Sequence, residues 1–219
     1  MELRRVYHFC NAEYGLENIR NRRIKVSTFD DLNDPFELLC HDVGDSGLRG
    51  RLNEFKRKVQ REQGLLCFSA AYSSPVQWAH YADRHKGLCL GFDMPSEYLE
   101  DVVYTTKRLK FMAEPQDIKN GFQRQVKELF TTKYLHWSYE RELRSFGALG
   151  APDPINGLYF NAFSEHMALK EVAVGSAAKI SRAQLHEALG DLPSVSCFKV
   201  RAAFRSYTMV KNKEETLWE

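Results

Sequence analysis

The chain has 219 residues, 43% hydrophobic and 27% charged, with a net charge of +2. That make-up suits one globular core and gives no strong overall field for nucleic acid or an acidic membrane. No apolar run reaches spanning length, and the opening MELRRVYHFCNAEYG lacks the apolar core of a signal peptide. Five scattered cysteines with no CxxC pair point to reduced thiols in a cytoplasmic protein and offer no zinc pattern.

Taken in order, residues 6–9 (VYHF) predict a short strand bearing Tyr7 and His8, 13–20 a helix, and 23–28 (RIKVST) an alternating strand. FDDLNDPFELLC follows. Asn33 and Asp34 precede Pro35, which disfavours helix and fixes a loop carrying Asp30, Asp31, Asn33, Asp34 and Glu37. An ordinary Asx turn accounts for that loop as well as a binding role does. A charged helix is expected over 48–63. Its Arg49, Arg51, Lys56, Arg57, Lys58 and Arg61 fit a solvated face better than a binding surface.

The densest stretch is CFSAAYSSPVQWAHYADRHKGLCLGFD, residues 67–93. A strand over 65–68 leads to Ser74-Pro75-Val76-Gln77, a helix start with proline at the first position and a capping box. The helix is expected to stop at Gly87, with Trp78, Tyr81, Ala82 and His85 on one face and His80 and Arg84 on another. A strand returns over 87–93. Trp and Tyr at helical spacing are core residues more often than ligand platforms, and a single His is usually just hydrogen-bonded or solvated. The crowding of such groups raises the functional reading.

Further on, 95–99 predicts a helical turn, 101–106 a strand holding Tyr104, and 114 to about 137 a long helix. If 139–146 is a strand, Glu140, Glu142 and Arg144 share a face. A surface charge ladder is the commoner outcome; a cleft in which the arginine keeps a carboxylate ionised is the other. Residues 147–160 read as an exposed loop, 169–174 as a strand, and 181–189 as a helix capped by Ser181. Strands are expected over 195–200 and 203–210, with KNKEETLWE as a fraying polar tail. The irregular order of elements predicts an α+β fold, a single domain over 1–219 with a mixed central sheet and flanking helices.

LNDPFE (32–37), CFS with QWAHYADRHKGLCLGFD (67–93), Val103-Tyr104, KYLHWSYERELR (133–144) and LKEVAVG (169–175) together resemble the bacterial domain of unknown function 2971 family. They follow that family's order over nearly the full length. More loosely, YHFCNAEYGLENIRNRRIKVS is similar to the opening of ADP-ribosyltransferase-fold proteins such as DarT-type toxins. That resemblance implies an NAD site in which His8 with Tyr7, and Ser27 with Thr28, hold the nicotinamide ribose. It implies Glu142 or Glu140 as the strand-borne acid. Cys10 departs from the Thr or Ser of many members.

The expectation that follows is an NAD-dependent ADP-ribosyltransferase-like enzyme, a toxin or phage-defence effector modifying a nucleic-acid or protein acceptor, with an antitoxin partner. Its candidate catalytic residues are Glu142, Glu140, His80 and Arg144. Its candidate NAD contacts are Tyr7, His8, Ser27, Asn33, Asp34, Trp78 and Tyr81, with Trp78 or Tyr81 stacking on nicotinamide. A carboxylate suits the oxocarbenium-like state of glycosidic cleavage, and no metal is required. Two alternatives stand beside it: a metal-dependent nuclease or phosphodiesterase using Asp34, Glu37, His80 and Glu140, and a non-catalytic ligand-binding module. A shared site requires Asn33-Asp34, His80-Tyr81 and Glu140-Glu142 to face one cleft.

Overall fold

The computed structural model describes residues 2–111, 118–192, 194–214 and 218. Strand β1 (Leu3–Cys10) leads into helix α1 (Ala12–Arg20), whose Asn11 cap accepts from the Tyr14 N–H at 2.8 Å. Strand β2 (Arg23–Val26) and the two-residue β3 (His41–Asp42) bracket the NDPFE loop. Asp45 caps α2 (Ser46–Glu62), which runs straight into β4 (Gln63–Ser69). Helix α3 (Pro75–Tyr81) is followed by β5 (Leu88–Pro95), then by β6 (Glu100–Asp101), β7 (Val103–Thr105) and β8 (Leu109–Lys110). Helix α4 (Ile118–Thr131) passes into β9 (Thr132–Tyr134), a 3-10 turn over Leu135–Glu140, and β10 (Glu142–Ala148). The chain closes with β11 (Tyr159–Ala162), β12 (Ala168–Val174), α5 (Arg182–Leu189), β13 (Ser196–Ala202) and β14 (Met209–Lys211).

The architecture is mixed α+β. Eight strands form one sheet in the order β14-β13-β12-β5-β1-β4-β10-β6. Its pairings are antiparallel except β12 with β13, which α5 connects as a crossover. Strand β5 is buried on both sides: Leu88, Leu90 and Phe92 face the core under α1 and α5, and Cys89 faces the cluster around Trp78 of α3. A third cluster joins Leu52 and Val59 of α2 to Leu65 of β4 and Leu129 of α4. The basic residues of α2 therefore lie opposite its buried stripe: Arg49, Arg51, Arg57, Lys58 and Arg61 are exposed, as the sequence suggested.

Several expectations need correction. Helix α3 ends at Tyr81, not at Gly87, because Asp83, Arg84 and His85 all take left-handed conformations with φ of 42°, 53° and 69°. His85 is therefore not on its face. Gly87 is needed for space instead, since a Cβ there would lie 2.1 Å from the Cys10 carbonyl oxygen. The expected start of the 114–137 helix falls on residues outside the described ones, and the described helix, Ile118–Thr131, ends short of 137. Residues 139–140 belong to the 3-10 turn rather than to a strand. The stretch 147–160 leads into β11, which pairs with β2. Residues 203–208 form a turn with Phe204 and Tyr207 exposed. In the tail, Trp218 is buried and donates to the Ile180 carbonyl at 2.8 Å, so that residue is anchored.

Candidate functional site

Strand β1 pairs with β5 along its whole length but meets β4 at one register position, Tyr7 opposite Ser69. Strand β4 instead pairs fully with β10. The sheet thus parts between β1 and β4, and a cavity of about 260 Å³ opens there. Tyr7, His8, Ser27, Asn33, Tyr81, Glu140 and Glu142 line it together with Cys67, Gln77 and Lys133. Segments remote in sequence meet at this point. Of the residues singled out from the sequence, these first seven are brought to one place.

Each is set by its local backbone. His8 lies within 3.2 Å of the Cys67 carbonyl across the parted strands, through Nδ1. A carbonyl only accepts, so Nδ1 carries the proton. Burial pushes the His8 pKa down, which leaves a neutral ring with Nε2 as acceptor at pH 7. Ser27 follows β2 and exchanges backbone hydrogen bonds of 2.9 Å with Leu65. On α3, Gln77 and Tyr81 are one turn apart and face the cavity. Ser74 caps this helix by accepting from the Gln77 N–H. The Gln77 side chain does not close a capping box; it donates to the Glu140 carbonyl at 2.8 Å and accepts from Ser69 Oγ at 3.1 Å. It clamps the turn that presents Glu140.

A polar chain runs inward from the mouth. Asn33 Nδ2 donates to the Tyr81 hydroxyl at 2.9 Å, and that hydroxyl donates to Glu140 Oε1. Lys133 Nζ sits 2.8 Å from both Glu140 and Glu142 and 3.6 Å from Glu37. Arg144 is fully buried, and its guanidinium matches both Glu37 oxygens at 2.5 and 2.9 Å, both Glu142 oxygens at 2.8 and 3.2 Å, and the Phe130 carbonyl at 2.8 Å. All five of its N–H donors are thereby used.

The two cavity carboxylates are driven apart. Burial pushes the Glu140 pKa up, and Lys133 only partly opposes it. Burial would also raise Glu142, but Arg144 and Lys133 overcome it and hold that carboxyl below the usual range. Burial and the Glu140 contact push the Tyr81 hydroxyl up, so it stays a donor. One carboxylate kept ionised beside one that takes a proton readily is the arrangement that separates base and acid duties.

The remaining candidates lie elsewhere. Trp78 is fully buried against Phe9 at 5.3 Å and donates to the Tyr72 carbonyl; it is a core residue with no face for nicotinamide. His80 is exposed, its ring 6.1 Å from those of Tyr81 and Tyr139, outside the cavity lining. Arg144 is enclosed by its ion pairs and positions Glu142 rather than meeting a ligand. Asp34 is buried, accepts from the Phe36 N–H at 2.9 Å, and lines a different cavity. The metal-ligand set Asp34, Glu37, His80 and Glu140 is therefore not assembled. Among the described residues no group of three or more His, Cys, Asp or Glu could hold a metal ion. Lys133 and Gln77 were overlooked because one read as part of a helix period and the other as a cap.

Residues 77–145, about a third of the chain, match the family model "Protein of unknown function (DUF2971)", which supports a relation to that family. Gln77, Tyr81, Lys133, Glu140, Glu142 and Arg144 lie inside the matched segment; Tyr7, His8, Ser27 and Asn33 lie outside it. No curated protein and no solved structure matches the chain. Among the described residues no helix is long and apolar enough to cross a membrane.

Proposed function

We propose that the cavity between β1 and β4 carries out glycosyl transfer from NAD, as an ADP-ribosyltransferase-like enzyme. The observation that carries this reading is the split pair of carboxylates, Glu140 pushed up and Glu142 held down, on one cavity wall. His8 on β1 and Ser27 after β2 face the same space, where the resemblance asks for ribose contacts. At about 260 Å³ the cavity is just below the ~300–1,000 Å³ usual for ligand sites. It takes the nicotinamide riboside half and leaves the adenylate half outside.

The dinucleotide supplies a glycosidic bond that breaks with its electron pair going to nicotinamide, while an acceptor lone pair forms the new bond to the ribose carbon. Glu142, kept ionised by Arg144 and Lys133, stabilises the positive charge that develops on the ribose. Glu140, with Tyr81 and Lys133 fixing its orientation, takes the proton released by the acceptor. His8 Nε2 accepts from a ribose hydroxyl, and the Tyr81 ring offers the stacking face that Trp78 cannot. The acceptor is a nucleic acid or protein, or water in its absence; a toxin role with an antitoxin partner in the cytoplasm belongs to the same reading.

The test is thermal shift with NAD together with nicotinamide release, on wild type, Glu140→Gln and Tyr81→Phe. NAD should stabilise the wild type, and both variants should stay folded and lose release by about a hundredfold, the usual scale for a positioned proton-transfer group. Absence of any NAD shift or release, or a folded Glu140→Gln with undiminished turnover, would overturn the proposal.

A further inference from the structure

Lys133 belongs to two cavities. Its second one, about 300 Å³, is lined by Asp34, Phe36, Leu39, Cys40, Tyr134 and the run Thr105 to Arg108. The parallel pairing of β7 with β9 builds it, setting Thr105 opposite Tyr134 and Tyr104 opposite Lys133. The NDPFE loop supplies the facing wall. Phe36 and Tyr134 remain 51% and 44% exposed, large aromatic rings left facing a cavity instead of entering a core. Lys107 and Arg108 are exposed at the rim. Arg108 is fixed there by donating to the Leu39 and His41 carbonyls at 3.1 and 3.3 Å, with its guanidinium 5.2 Å from the Phe36 ring centre.

We infer that this second cavity binds a mononucleotide, with the base on Phe36 and Tyr134 and the phosphate on Lys107 and Arg108. Apolar and aromatic walls select a flat ring system. Two cations on one rim select an anion at its end, and a pre-oriented guanidinium suits phosphate oxygens. The size fits a nucleotide and not a chain of them. Lys133 lines both cavities, with its Nζ held by Glu140 and Glu142. This inference stands apart from the NAD reading, since none of the residues assigned to the nucleotide lines the first cavity.

The experiment is calorimetric titration of the full chain with AMP, adenosine and inorganic phosphate, on wild type, Lys107→Glu, Phe36→Ala and Tyr81→Phe. AMP should bind, with adenosine and phosphate each weaker by about tenfold or more. Lys107→Glu and Phe36→Ala should weaken AMP by about tenfold, and Tyr81→Phe should leave it unchanged. No AMP binding overturns the inference, as does phosphate binding as tightly as AMP. AMP binding that survives Lys107→Glu but is lost in Tyr81→Phe places the nucleotide in the first cavity and overturns it too. Parallel titration with NAD reads the first cavity separately.

Discussion

Replacing Arg144 by methionine removes the centre of the buried ion network while nearly keeping its volume. The guanidinium is fully buried and bidentate to Glu37 and Glu142, which are 2% and 5% exposed. Deleting one partner of a buried pair costs ~3–5 kcal/mol because the other charge is left without compensation. Two carboxylates are stranded here, but Lys133 stays 2.8 Å from Glu142 and 3.6 Å from Glu37, which argues for about 4 kcal/mol. That is a large part of the ~5–15 kcal/mol of a typical domain. With a urea m-value of about 2–3 kcal/mol/M, the midpoint drops by roughly 1.5 M. Arg144→Lys keeps the charge but not the fork, and should recover only part of the loss.

The pH dependence of the same variant has a definite sign. In the wild type Glu142 titrates below its ordinary value of 4.5. Its contribution is therefore present above that value and lost as pH falls through the lowered one. Without Arg144 only Lys133 opposes burial, and Glu142 titrates above its ordinary value. Stability is then retained below that value and lost as pH rises. Urea midpoints between pH 5 and 8 should converge toward acid and diverge toward neutral. A deficit under ~1 kcal/mol at pH 7, or one that widens on acidification, would refute the network as described.

Other outcomes follow from the same geometry. Trp78→Ala should cost about 3–5 kcal/mol in urea melts, because the ring fills the core beneath α3; a loss of NAD binding without loss of stability would return Trp78 to the site. Gly87→Ala should destabilise markedly, since the Cys10 carbonyl oxygen would lie 2.1 Å from the new Cβ; an unchanged melting temperature would contradict that contact. Burial pushes the Cys40 and Cys197 thiols up to about 11 and Cys10 to about 12. At pH 7.5 fewer than about one in a thousand of each is thiolate. Ellman's reagent should therefore react slowly with the native chain and count all five cysteines only after denaturation. For Glu140, whose pKa is raised above 4.5, stability is full below that value and lost as pH rises through the folded one. Glu140→Gln should flatten this slope, as melting temperatures across pH 4–8 would show.

Where local physics decides the backbone, the sequence was readable. Ser74 and Ser181 cap the helices they were expected to cap, and the strands around Val6, Leu66 and Leu90 follow from their apolar runs. What escaped was set at long range. Nothing near Trp78 distinguishes a core ring from a ligand platform, because the choice depends on Phe9 and Phe198 far away in sequence. The left-handed run at Asp83, Arg84 and His85 breaks the helical period that Tyr81 and His85 share. Strand β11 was hidden because its stabilisation comes from pairing with β2, more than a hundred residues earlier. Glu140 and Glu142 line one cavity, the cleft outcome instead of the commoner surface ladder, although one comes from a 3-10 turn and Arg141 at φ 47° makes the corner between them.

The parting of the sheet explains why stability and chemistry share residues here. Once β1 leaves β4 after a single register pair, backbone groups on both edges need partners, and His8 meets one of them through the Cys67 carbonyl. The gap also admits polarity between two apolar cores, so any charge placed there must be paired or neutral. Arg144 pairs with Glu37 and Glu142 at the closed end; Lys133, Tyr81 and Asn33 carry the chain of contacts to the open end. Changes at the closed end therefore lower stability and alter the site together. Changes at the open end, Tyr81 and Asn33, meet solvent and leave the ion pairs of Arg144 untouched. Activity measured on those two residues, and not on Glu142 or Arg144, separates a functional site from a structural one.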